Sequence, residues 1–198
     1  MSVFNLNQQN SNLDHKIVAG LERISNVFRI LLWDKSKRHQ LSPIQIQLLI
    51  FINYHSQKLS TVSYLAQEFN LSKPTISDTI KTLEQKGYIK KVPVQDDARS
   101  YTIEITDLGK NVIFETENYT DPLSAIVSKS NAADKEILWK TISDMILQLN
   151  RMEIITVQRT CYNCKFFSNE KNVPFCGLLG QELKNEDIRI DCGEFCQD

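Results

Sequence analysis

The sequence predicts a mainly α-helical protein with one small β-hairpin, an α+β fold, closed by a short cysteine-bearing tail. Three observations carry that reading. Apolar residues recur at three- and four-residue steps through most of the chain. One stretch, 88–105, instead places β-branched and aromatic residues on both sides of a polar tip. All five cysteines lie beyond residue 160.

Residues 1–12, rich in Asn and Gln, read as a loose N-terminal arm. Leu13 to Arg38 reads as a helix with Ile17, Leu21, Ile24, Phe28 and Leu31 along one face. That stripe is longer than a small head can cover, so a partner helix is implied; the alternative is ordinary intrachain core. Ser60 and Thr61 open a helix carrying Val62, Leu65, Ala66 and Phe69, which Asn70 closes. Ser72 caps the next, where Pro74 costs little in a first turn that lacks intrahelical partners, Ile76, Ile80 and Leu83 bury one face, and Gly87 ends the run. Tyr88 to Val94 and the alternating Tyr101, Ile103 and Ile105 then form a hairpin with a charged tip. Asp107 to Ser130 reads as a helix in which Gly109 permits close approach and Pro122 imposes a kink or break. Asn131 to Arg159 repeats the helical pattern with Leu138, Ile142, Met145, Leu149 and Met152 as a heptad-like seam. Helix, tight turn, helix and hairpin over 60–105 is the order of a winged helix-turn-helix. Residues 13–160 thus form one domain, with 13–38 and 131–160 as a helical dimerisation layer under the winged head, and 161–198 form a separate metal-stapled tail.

In a helix-turn-helix the second helix enters the major groove of DNA with its N-terminal residues at base edges. The candidates are Ser72, Lys73, Thr75, Ser77, Asp78 and Lys81, with Lys73, Thr75 and Ser77 foremost. Asp78 can accept from cytosine N4 or stand as a plain exposed carboxylate. Arg99 at the hairpin tip is placed for a phosphate or the minor groove, and Asp97 supports it; alternatively both belong to a solvated turn. Composition neither makes nor breaks this case. The net charge is −1, so attraction to DNA has to come from the local set Lys73, Lys81, Lys86, Lys90, Lys91 and Arg99, which has nearly as many acidic neighbours. An apolar content of 41% suffices for a core. No signal pattern or apolar run of transmembrane length stands out, which predicts a cytoplasmic protein without a membrane partner. No nucleophile elbow, phosphate loop or pair of catalytic carboxylates supports an enzyme. Trp33 and Trp139 read as packing residues; His15, His39 and His55 lack ligand spacing and are given no role.

Leu41-Ser42-Pro43 with Gln45, Leu65-Ala66, Leu71-Ser72 with Thr75-Ile76-Ser77, Leu83-Glu84 with Lys86-Gly87, Asp97 with Arg99, and Thr106 with Gly109 stand in one order. In this the chain resembles the MarR family of bacterial transcription regulators. The resemblance implies a homodimer on double-stranded DNA with a pseudo-palindromic operator, usually a repressor relieved by a ligand or an oxidant.

The tail is the second signal. Cys161-Tyr162-Asn163-Cys164 has the two-residue gap with which paired thiolates grip a metal, and a cytoplasmic protein does not usually keep structural disulfides. Cys176 and Cys192 complete a four-sulfur set, with Cys196 extra or alternate. A segment this small also needs a staple. Tyr162, Phe166, Phe167, Phe175 and Phe195 supply an aromatic shell that excludes water and favours an iron–sulfur cluster. Zinc would use the same thiolates without redox chemistry, and redox-active thiols without metal are a third reading. The cysteine order is similar to high-potential iron–sulfur proteins, with different gaps. A change at this tail is expected to act on the preceding dimerisation helix and so on the spacing of two recognition helices. A reading of another class stays open: an electron-transfer or enzyme-associated iron–sulfur protein using the winged helix for interaction.

Overall fold

The computed structural model describes residues 2–94, 97–170 and 173–197; at 94–100 only the backbone of 94 and 97–100 is described. Its core is built around the helix that Ser42 opens. Ser42 and Gln45 form a reciprocal capping box, each side chain taking up the other's backbone N–H, so Pro43 starts α3 (Pro43–Tyr54) cleanly. Ile46, Leu48 and Leu49 of α3 are fully buried. Against them pack Leu65 of α4 (Val62–Glu68), Ile76, Ile80 and Leu83 of α5 (Lys73–Gln85), and Ile89 and Ile103 of the hairpin. Burying each such side chain is worth about 1.5–3 kcal/mol, which explains why this head is the best-covered part of the chain.

The hairpin pairs β1 (Ile89–Val94) antiparallel with β2 (Asp97–Ile105), Ile89 opposite Ile105 and Lys91 opposite Ile103. Lys91 ties it to the head, its Nζ 2.6 Å from Glu84 and over the Tyr101 ring.

Three helical expectations are corrected. The loose arm contains α1 (Leu6–Ser11), because the Asn5 side chain accepts the N–H groups of Asn7 and Gln8. The helix expected over 107–130 with a kink or break at Pro122 breaks ahead of that residue, into α6 (Asp107–Thr116) and α7 (Asp121–Ser128) joined by a 3-10 turn, Glu117–Thr120. Pro122 sits in the first turn of α7, where its missing N–H is harmless. The helix expected over 131–159 is α8 (Ala132–Arg151), which ends before Glu153 takes a left-handed φ of 59°. The chain then runs without helix to Thr160.

The longest helix, α2 (Leu13–His39), follows its expected bounds. Ile17, Leu21, Ile24 and Phe28 are 36–49% exposed, so the chain does not cover this stripe by itself. Leu138 and Leu149 of α8 are likewise open. Trp33 is 51% exposed and packs little within the chain, a correction to its expected role. Trp139 does pack: its Nε1 donates to the Asn185 carbonyl at 2.8 Å and holds the tail on α8.

The tail is a three-stranded antiparallel sheet in the order β3 (Phe167–Glu170), β4 (Val173–Cys176), β5 (Gln181–Glu182). Sequence reading missed these strands, which are short and mostly exposed. Among the described residues no helix is long and apolar enough to cross a membrane.

Candidate functional site

Thr61 caps α4 and Ser72 caps α5, each side-chain oxygen accepting a backbone N–H three residues on at 3.2 Å. Between the helices Asn70 takes a left-handed φ of 50°, which asparagine tolerates well, and the Leu71 N–H returns to the Ala66 carbonyl. These local bonds set the angle of α5. Ile76, Thr79, Ile80 and Leu83 are buried, and Ser72, Lys73, Thr75, Ser77, Asp78 and Lys81 all stand exposed on the opposite side. Thr79 was missed as core: its hydroxyl returns to the Thr75 carbonyl at 2.7 Å, which makes a polar side chain acceptable there. Ser72 is spent in part on the cap, and its Oγ lies 2.7 Å from Thr75 Oγ1.

The basic set is thinner than its count. Lys90 pairs with Glu104, Lys91 with Glu84, and Lys86 donates to the Gln40 carbonyl. Among the described residues Lys73 and Lys81 make no ion pair, which leaves them as the cations open on α5. Arg99 and Asp97 lie on β2 by backbone, with side chains outside the described residues.

Cys161 and Cys164 bracket a 3-10 turn, Cys176 ends β4, and Cys192 lies in the last loop. All five thiols are free. Cys161, Cys164, Cys176 and Cys192 line one recess of about 290 Å³ with Phe166 and Phe167, and Leu178, Leu179 and Leu183 add apolar wall. Arg189 sits among them, its backbone N–H donating to Cys161 Sγ at 3.2 Å and its guanidinium to Cys192 Sγ at 3.5 Å. Burial pushes the Cys161 thiol up, against the Arg189 N–H, which lowers it. Cys196 is not on this recess; its thiol donates to the Gln197 carbonyl. The donor chemistry fits a thiophilic metal, four soft sulfurs from one turn, a strand end and a loop, in a recess that Glu186, Asp187, Arg189 and Glu194 also line. Among the described residues, however, no three His, Cys, Asp or Glu side chains are grouped closely enough to hold one ion, so capture requires the four thiols to draw together.

Between tail and head lies an open cleft whose lining includes His55, Tyr64, Arg159, Asp191, Cys192 and Phe195. Phe195, expected in the shell of the cysteines, faces this cleft instead. Arg159 is 8% exposed. Its Nε and Nη2 donate to the two Asp191 oxygens at 2.6 and 2.8 Å, and its Nη1 donates to Glu68 and to the Tyr64 hydroxyl, each at 2.6 Å. His55 Nε2 meets Asp191 at 2.7 Å while its Nδ1 lies 2.8 Å from the Phe51 carbonyl oxygen. Burial works against the Arg159 charge, but its bonds to Asp191, Glu68 and Tyr64 outweigh it and hold the guanidinium pKa above its ordinary value. Burial likewise opposes the Asp191 charge, and Arg159 and His55 together keep that carboxyl below its ordinary value. Sequence reading gave His55 no role and placed Arg159 at a helix end. Arg159 lies 91 to 104 residues from Glu68, Tyr64 and His55 and 32 from Asp191, which is itself 136 from His55, so no local pattern could have joined them.

The geometry has counterparts among known proteins. Residues 39–100 match the MarR family model. Over 70 residues the chain is 33% identical to the HTH-type transcriptional regulator BilQ of Clostridioides difficile (strain CD3), an alignment covering 35% of this chain and 46% of that one, and thus less than half of the relative's length. The Streptococcus pneumoniae FabT complex with DNA is similar in fold, with TM-score 0.59 and 17% identity over 69% of this chain and 97% of that one. So is the S. aureus MepR–DNA complex, with TM-score 0.58 and 20% identity over 67% and 97%. Over residues 39–100 the chain thus matches the MarR family model, and its fold is that of these winged helix-turn-helix structures.

Proposed function

We propose that the chain is a sequence-specific, DNA-binding transcriptional regulator that works in the cytoplasm as a homodimer and represses from a pseudo-palindromic operator. The observation that carries the reading is α5: one face fully buried, the other presenting Lys73, Thr75, Ser77 and Lys81 to solvent beside a wing. Polar side chains of this length reach base edges, while the lysines meet phosphate. The solved FabT and MepR structures hold DNA with the same fold, which supports the same use here. The open apolar stripes of α2 and α8 support a second copy, which would set two heads against a two-fold operator.

The experiment is selection of duplexes from a random pool by the full-length protein. Enriched two-fold sites, bound more weakly by Lys73→Ala and Arg99→Ala, support the reading. Failure to enrich any sequence, with no loss in either variant, would sink it and return the electron-transfer alternative.

The cysteine recess makes the regulator metal-responsive in this proposal. Cys161, Cys164, Cys176 and Cys192 are the four ligands, and Phe166 and Phe167 keep water from them. Bound there, an iron–sulfur cluster supplies redox chemistry and zinc a closed structural centre. Anaerobic purification with iron, sulfide and zinc analysis separates the two; neither metal at one equivalent per chain leaves redox thiols.

A further inference from the structure

We infer that Arg159 is a positioning residue through which the cysteine recess acts directly on the DNA-reading head of its own chain. The inference rests on the reading of the recess as a thiophilic metal site, and it changes the route by which that site is heard. Sequence alone pointed to the dimerisation helix; the structure offers a shorter path.

Both ends of that path are visible. On the recess side, the Arg159 carbonyl accepts the Cys192 N–H at 3.0 Å, Asp191 precedes Cys192, and Cys161 follows Arg159 by two positions. On the head side, the guanidinium holds Glu68 and Tyr64 of α4 and lies over the Phe51 ring of α3, 5.3 Å from its centroid. One arginine is thus bound by its backbone to a thiol-bearing loop and by its side chain to the first helix of the helix-turn-helix.

The contact is stiff for a physical reason. Arg159 is buried beneath a half-buried Glu68 and a more exposed Asp191, and its planar fork meets Asp191 through two parallel bonds, a geometry that tolerates little rotation. A buried guanidinium is costly to leave half paired. Drawing the four thiols together moves the Asp191–Cys192 step and the turn beginning at Cys161. Arg159 must then follow Asp191 or keep Glu68, and either choice changes the force on α4. Because α4 sets the angle of α5 through Asn70 and Leu71, a shift there reaches the exposed α5 face without passing through the dimer interface.

The test uses the metal-free full chain, zinc ion as the probe, and a duplex selected by that chain. Arg159→Gln and the milder Asp191→Asn are compared with the unaltered protein for zinc stoichiometry, duplex affinity with and without zinc, and backbone hydrogen exchange at 62–68. Asp191→Asn preserves side-chain volume and serves if Arg159→Gln does not fold. The expected result is one zinc per chain in every protein, an affinity shift of about tenfold on loading the unaltered chain, and a shift below about twofold in the variants. Exchange at 62–68 should respond to zinc only in the unaltered chain. A merely structural arginine would change basal stability yet leave the zinc-dependent shift intact, and that result overturns the inference. No zinc bound by any protein overturns the metal reading instead. The clamp is then judged in metal-free protein, where Asp191→Asn must raise exchange at both 62–68 and 190–195; a rise at only one segment rejects it.

Discussion

Trp139 Nε1 donates to the carbonyl of Asn185, 46 residues ahead, and the Asn185 side chain returns a bond to the Glu136 carbonyl one turn back on α8. The cysteine tail is therefore docked on the helical layer by one of the two tryptophans, and on the reading head by Arg159. It touches both the helical layer and the winged head.

Trp139→Phe keeps an aromatic ring at this contact and removes the donor. Loss of one such bond should cost about 0.5–1.5 kcal/mol. Hydrogen exchange should rise at 185–187 while the α5 backbone stays protected. Unchanged exchange at 185–187 would show that the ring alone holds the tail.

Gly109→Ala should destabilise the head. A Cβ there would overlap the Tyr88 carbonyl oxygen and stand 2.8 Å from Ile105 Cγ2. That carbonyl already accepts the Thr106 N–H at 3.0 Å, so it cannot retreat without breaking the strand-to-helix junction. Alanine gains up to about 1 kcal/mol of helix propensity, but overpacking against a backbone atom costs about 1–3 kcal/mol, and the net loss should appear as a lower denaturant midpoint with an unchanged slope.

Ile24→Glu together with Phe28→Glu should turn a dimer into a monomer. Both side chains are at least 40% exposed within one chain, so the charges cost little there and are buried only if a second copy covers α2. Light scattering should read half the mass with helical content unchanged. An unaltered protein already monomeric under the same conditions contradicts the proposed dimer.

The wing carries a pH signature in Lys90 and Glu104, opposite each other on β1 and β2 and 2.8 Å apart. The hydrogen bond with Lys90 lowers the Glu104 carboxyl below its ordinary 4.5, and the same bond raises the Lys90 amine above 10.5. With the glutamate depressed, the pair's contribution is present above pH 4.5 and lost as pH falls through the folded value. With the lysine raised, the contribution is full below 10.5 and lost as pH rises through its folded value. Carbon-detected titration of Glu104 should therefore show a midpoint under 4.5 that returns toward 4.5 in Lys90→Gln. A midpoint that does not move argues that the pair opens in solution.

Much of the head was readable because its causes are local. Ser72, Asn70 and Gly87 punctuate α4 and α5 through side-chain caps and left-handed turns that act over a few residues. The buried set Ile76, Ile80 and Leu83 follows from helical period alone. The breaks at Pro122 and after Arg151 were harder. Pro122 announced a break without saying which side of it would stay helical, and the end of α8 is marked by Glu153 in a left-handed conformation that glutamate rarely signals.

The sequence by itself determined the winged helix-turn-helix, the polar face of α5 and the gathering of cysteines in one tail, since each rests on spacing and capping within a short window. Only the tertiary structure decided which four thiols share a recess, that Lys90 and Lys91 are spent on glutamates, and that His55, Glu68 and Asp191 gather around the buried Arg159 guanidinium. Those pairings join distant segments. Their energy depends on desolvation and on exact donor geometry, and neither exists until the chain has folded.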